Sequence, residues 1–202
     1  MLLNKNQLTV IEEFLRGYDL KLTGSEIARK RRLNQKSVAN LLNELEEQTI
    51  FRSTVQGRNK LYSLNIENEE MARQFLASVE QLRTFHFYQS HPLIREIASK
   101  LLVCCDSNSI VLIFGSYARG KEKEGSDLDV FVTFIKPDEK AVEKIEQIYG
   151  VEINITYYTM ENFTEGLKRN DHFIQEILKD HLLLKGADDF VYWATRKRYG
   201  KA

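Results

Sequence analysis

The sequence predicts an α+β chain in which a helical front part with a β-hairpin is joined by a long helix to a back part of strands and helices. Three observations predict it. Apolar residues fall at helical spacing through residues 6–48, and two β-rich runs around a Gly-Arg-Asn turn follow them. Residues 67–89 contain neither Gly nor Pro. Beyond Pro92, short β-branched runs such as "SIVLIF" alternate with hydrophilic loops. The boundaries are set at 1–65, 66–91 and 92–202.

In the front part, Leu8, Ile11, Phe14 and Leu15 form one helical stripe, which Gly17 ends. Thr23 and Glu26 have capping-box spacing and open a second helix that buries Ile27 and Ala28. Asn34 opens a third, running to about Gln48, whose Val38, Leu41, Leu42 and Leu45 face a core. Lys36, Asn40 and Asn43 occupy its other face, where they can reach phosphates or base edges. "IFRSTV" and "KLYSLN" then form a hairpin with Gly57, Arg58 and Asn59 at its tip. In the long helix, Met71, Phe75, Val79, Leu82 and Phe85 make an apolar stripe, a spacer or a dimer seam. Pro92 starts a further helix to about Cys104.

Charge and cysteines bound the setting. Residues 1–64 carry 11 Lys/Arg against 7 Asp/Glu, and residues 65–202 carry 18 against 22, so a basic front adjoins an acidic back. Membrane spans and a secretory leader are not expected, because no apolar window of about 18 residues occurs and "MLLNKNQLTV" lacks the leader pattern. Cys104 and Cys105 are adjacent in an apolar run and are expected as buried free thiols in a reducing, cytoplasmic setting. His86, His91, His172 and His181 have no ligand partners at metal spacing and are expected to be structural or exposed. The terminal "TRKRYGKA" is a basic tail that could help hold nucleic acid.

The chemistry concentrates in "FGSYARGKEKEGSDLDVFV". A strand enters Gly115-Ser116, where a glycine lets backbone approach a bound group closely. A charged loop holding Arg119 and Lys121 follows; both side chains could reach phosphates or simply be solvated. The chain re-enters a strand at Asp127 and Asp129, which share one face while Leu128, Val130 and Val132 pack on the other. Two carboxylates so close repel unless a cation joins them, and Mg²⁺ typically takes one or two carboxylates plus substrate phosphates. In "VEINITYY", Glu152, Asn154 and Thr156 alternate with Val151, Ile153 and Ile155.

Two resemblances extend these readings. "GSEIARKRRLNQKSVANLLNELEEQTIFR" resembles the winged helix-turn-helix family, which implies a recognition helix at 34–47 and Arg58 and Lys60 on a wing near duplex DNA. A dimerisation or protein-docking module is the alternative. "GSYARGKEKEGSDLDV" resembles the nucleotidyltransferase superfamily that includes DNA polymerase beta. That resemblance implies a small mixed sheet with packed helices, Gly115 and Ser116 touching a triphosphate, and Asp127 and Asp129 binding metal ions. The metal would be Mg²⁺, as two ions, with Mn²⁺ as the alternative. The implied reaction transfers a nucleoside monophosphate from an NTP, ATP among them, to a hydroxyl acceptor. The superfamily adds a third carboxylate from a later strand; Glu152 is the candidate ligand or base, with Asn154 the rival position. The whole chain is similar to prokaryotic, mainly archaeal, proteins joining a winged helix to a minimal nucleotidyltransferase domain. A homodimer is compatible with that architecture. Two other functions stay open: a transcription regulator that senses nucleotide without turnover, and an antitoxin that nucleotidylates its toxin.

Overall fold

Asn4, Thr23 and Asn34 open the first three helices, each side chain accepting a hydrogen bond from the backbone N–H three residues on. Such caps contribute about 1 kcal/mol each. The structure is a computed structural model and describes residues 3–66 and 70–196. Contacts divide the chain into two units, residues 1–79 and 80–202. The beginning of the expected long helix at 67–69 and residues 197–202 of the basic tail lie outside the described residues, while Thr195 and Arg196 of that tail belong to the last helix.

The first unit holds α1 (Lys5–Leu15), α2 (Gly24–Arg31) and α3 (Gln35–Glu47), then β2 (Phe51–Gln56) and β3 (Asn59–Leu64). All the apolar positions expected to face inward on these helices are buried, and Phe14 meets Phe51 edge-on at 4.6 Å. A strand that the sequence did not suggest, β1 (Leu22–Thr23), pairs antiparallel with β3, giving a three-stranded sheet in the order β1-β3-β2. Two residues are too short for any periodicity to show. Glu13 of α1 is buried, with ion pairs to Lys30, 2.6 Å away, and to Arg31. Burial opposes its ionisation, but the hydrogen bonds and charges of Lys30 and Arg31 outweigh this and hold its carboxyl below the usual range.

The long helix α4 (Glu70–Ser90) is confirmed, but its buried stripe is not the expected one. Met71 and Phe85 are exposed, while Ala72, Leu76, Ala77, Val79, Glu80 and Thr84 are buried. Two polar side chains turn inward because partners await them. Glu80 takes the His181 ring at 3.2 Å and the Arg83 guanidinium at 2.6 Å, and the Thr84 hydroxyl donates to the Leu183 carbonyl at 2.8 Å. The expectation of a structural His181 therefore holds.

The second unit continues with α5 (Pro92–Val103), β4 (Val111–Ile113), α6 (Gly115–Ala118), β5 (Leu128–Thr133), α7 (Glu139–Tyr149), β6 (Ile153–Tyr158), α8 (Met160–Arg169), α9 (His172–Lys179), β7 (Leu182–Lys185) and α10 (Ala187–Arg196). Its sheet is mixed, in the order β6-β5-β4-β7, with β5 parallel to β6 and β4 antiparallel to both β5 and β7. Val111, Ile113, Leu128, Val130 and Val132 pack on one side with Ile94, Ile97 and Leu101 of α5 and Val142 and Ile145 of α7. Phe131 points to the opposite side, against Phe163 and Phe173. Both cysteines are free, but only Cys105 is buried and Cys104 is half-exposed, because Cys104 caps the end of α5. Burial pushes the Cys105 thiol up to about 11. No helix among the described residues is long and apolar enough to cross a membrane.

Candidate functional site

Antiparallel pairing of β4 with β5 brings the Gly-Ser turn to the aspartates. The register sets Ile113 opposite Val130, and the next N–H along, that of Phe114, donates to the Asp129 carbonyl at 3.0 Å. Gly115 then turns with φ +70°, and a Cβ there would stand 2.0 Å from Asp129 Oδ2. Only a residue without a side chain lets this carboxylate lie against the turn. Gly115 is buried, Ser116 half-buried, and both start the single helical turn α6.

Asp129 lies within β5 and is half-buried; Asp127 precedes the strand by one residue and is exposed. The parallel neighbour β6 places Asn154 across from Asp129, and the Asn154 amide makes a weak 3.5 Å contact to Asp127 Oδ2. Glu152 is exposed, lies one residue before β6, and accepts from the Leu128 N–H through its backbone carbonyl at 2.8 Å. Among the described residues no group of three or more His, Cys, Asp or Glu side chains is close enough to hold a metal ion. The structure thus gathers Gly115, Asp127, Asp129 and Asn154, and leaves the Glu152 side chain outside such a cluster.

The loop after α6 carries the two predicted cations. Arg119 lies 4.0 Å from Glu176 of α9, both about half-exposed, and Lys121 is exposed with its backbone N–H donating to the Ser116 carbonyl at 2.9 Å. Tyr117, which follows Ser116 directly, sits over the same loop, its hydroxyl 3.5 Å from the Ser126 carbonyl. Burial, then the charges of Glu122 and Asp127, raise its phenol above the ordinary value. Phe173 of α9 packs edge-on to Phe114 at 5.4 Å, which makes α9 a wall beside the turn. Phe173 and Glu176 come from a distant element, so no local spacing could announce them.

Residues 93–185 match the family model described as a nucleotidyltransferase domain. The match takes in 93 of the 202 residues. A search of curated proteins found no match. One solved structure, described as a crystal structure of "the toxin-antitoxin with AMP-PNP", matches at 16% identity and a TM-score of 0.37, covering 52% of this chain and 82% of its own. At that score the likeness carries no argument. The matched stretch runs from α5 through β7, and so contains Gly115, Ser116, Asp127, Asp129, Glu152 and Asn154.

Outside that stretch, the residues expected to meet DNA divide into two sets. Lys36, Asn40 and Arg58 are exposed, the first two on one face of α3 and the third at the hairpin tip. Asn43 and Lys60 are exposed as well, but the structure engages them with each other. Lys60 Nζ donates to Asn43 at 3.0 Å and to Glu46 at 2.6 Å, and the Tyr62 hydroxyl donates to Asn43 at 2.7 Å.

Proposed function

We propose that the chain is a metal-dependent nucleotidyltransferase moving a nucleoside monophosphate from an NTP to a hydroxyl acceptor, and that its first unit is a winged helix-turn-helix that binds duplex DNA. The observation that carries the catalytic reading is the Asp129 carboxylate seated on Gly115, at the distance that a Cβ would forbid. This contact joins the two halves of the motif, a turn suited to phosphate and a pair of acids, into one place.

The donor set fits a hard divalent cation. Asp127 and Asp129 offer carboxylate oxygens, and Asp129 is held by the turn against which a triphosphate would lie. Asp127 and Asp129 would hold Mg²⁺, with Mn²⁺ as the alternative; bound there, the metal neutralises charge on the transferring phosphoryl group and activates the attacking oxygen. Gly115 and Ser116 grip the phosphates at the turn, and Arg119 and Lys121 offer positive charge from the loop. Asn154, in register with Asp129, orients Asp127 through its amide.

A second reading is favoured by that same Asn154. An amide is opposite Asp129 where a third carboxylate would serve as base, and Glu152 is not gathered with the pair. In that reading the site binds nucleotide as a sensor without turnover. Pyrophosphate release with Mg²⁺ and each NTP, with and without duplex DNA, separates the two. Under the transferase reading the wild type releases pyrophosphate, and Asp129→Asn loses at least about a hundredfold of that rate while keeping its melting temperature. Equal rates for wild type and Asp129→Asn would remove the transferase reading, and nucleotide binding without release would establish the sensor.

The DNA-binding reading is supported by the order of three capped helices and a hairpin, and by exposed Lys36, Asn40 and Arg58. Asn43 and Lys60 serve this reading by bracing α3 against the hairpin.

A further inference from the structure

The loop between the Gly-Ser turn and the aspartate pair is held from outside by a histidine that no motif includes. His91 immediately precedes α5, and its ring lies flat on Phe87, the centroids 4.0 Å apart at 12°. Tyr117 meets it edge-on at 6.2 Å. Its Nδ1 stands 3.0 Å from the Phe87 carbonyl oxygen and 3.0 Å from the Ser90 hydroxyl. The opposite nitrogen, Nε2, meets Glu122 Oε1 at 3.0 Å. An ionised carboxylate only accepts, so Nε2 carries the hydrogen and donates it to Glu122.

Glu122 depends on that hydrogen bond. Its second oxygen, Oε2, is buried without a hydrogen-bond partner. The hydrogen bond from His91 holds its carboxyl below the usual range. The titratable groups facing the His91 ring are Glu122 from the loop and Tyr117 from α6; α4 presents Phe87 and Ser90, which do not titrate. Around Glu122 the loop is a small closed turn. The Lys123 N–H donates to the Ser126 hydroxyl at 2.8 Å, and the Ser126 N–H donates to the Lys123 carbonyl at 3.0 Å. Asp127 follows at once.

We infer that His91 and Glu122 are positioning residues for the nucleotide: their hydrogen bond clasps the loop that carries Arg119, Lys121 and Asp127.

This inference rests on the nucleotidyl-transfer reading, and its test keeps the two apart. The affinity of the full chain for ATP at saturating Mg²⁺ is measured by calorimetry for the wild type, His91→Phe, Glu122→Ala and the double variant, with urea unfolding of each beside it. Each single variant should bind about tenfold more weakly, and the double variant no more weakly than either, because the same hydrogen bond is lost in all three. Variants that keep the wild-type affinity, or losses that add in the double variant, would overturn the inference. Should a variant not fold, ring-nitrogen NMR of the wild type decides: with ATP and Mg²⁺ bound, Nε2 of His91 should carry a hydrogen, and a bare Nε2 overturns the inference. A wild type that binds no ATP removes the nucleotidyl-transfer reading, and the clasp's role with it.

Discussion

At the scale of single residues, Gly115 and Asp129 decide whether the second unit has a site at all. A methyl group on residue 115 would need the space that Asp129 Oδ2 fills, 2.0 Å from the ideal Cβ, and would adopt a φ of +70°. Gly115→Ala is therefore expected to cost about 1–3 kcal/mol of stability and to displace the carboxylate. Urea unfolding and ATP titration check it: affinity should fall at least about tenfold. Gly125, also at positive φ but with nothing within 4 Å, supplies the control. Gly125→Ala should strain its turn without touching Asp129. The sequence joined Gly115 and Asp129 only through the resemblance of "GSYARGKEKEGSDLDV" to the nucleotidyltransferase superfamily, and the pairing of β4 with β5 sets the two residues side by side. It could not choose between Glu152 and Asn154. Both alternate correctly, and only the register of β6 on β5 puts Asn154 opposite Asp129.

Glu13 is the corresponding residue of the first unit. Its carboxyl is held below the ordinary 4.5 by Lys30 and Arg31, against the opposing effect of burial. A lowered folded-state value means stabilisation that is present above the unfolded value and lost as pH falls through the folded one. Acidification below about pH 4 should therefore weaken the α1–α2 clamp. Glu13→Gln should be less stable than wild type at neutral pH and lose less on acidification. Unfolding curves at about pH 7 and pH 3 compare the two directly. A wild type that loses no more than the variant on acidification would rule out this role.

Elements follow the residues that end and cap them, but which face they bury depends on their neighbours. The capped helices α1, α2 and α3 bury the stripes that their apolar spacing announces. In α4 the apolar pattern is misleading. Phe85 stays exposed, while Glu80 is buried at 0% exposure beside His181 at 1%. A carboxylate buried so deeply is tolerable only with its partners, and removing one side of such a group costs about 3–5 kcal/mol. Glu80→Ala should lower stability by that amount. Phe85→Ala, from the exposed face, should change it by less than about 1 kcal/mol. Thermal or urea unfolding of the two variants tests the assignment, and a reversed ranking would refute it. Nothing near Glu80 in sequence signals this, since His181 comes from the far end of the second unit.

For the whole molecule, the uneven charge is the property that unites the sequence with the proposed division of labour. The overall net charge is zero, yet residues 1–64 carry an excess of four cations. Binding of the full chain to duplex DNA should weaken steeply with salt, because each phosphate contact releases counterions. Arg58→Ala should reduce the slope of log affinity against log salt by about one. Lys60→Ala should also loosen α3, since Lys60 is bound to Glu46 and Asn43. Binding that is absent, or indifferent to salt, would favour a protein-docking first unit.

The sequence by itself determined the helices and strands with strong periodicity and the Gly-Ser and aspartate motif, because each is written in residues adjacent along the chain. The tertiary structure alone decided which polar side chains meet. Asn154 is brought opposite Asp129 by a parallel strand, Glu122 is clasped by His91 from the start of α5, and Glu80 is buried beside Arg83 and His181. The physical reason is the same in each case. Backbone preference and apolar spacing are local, whereas a polar group turns inward only where the fold delivers its partner.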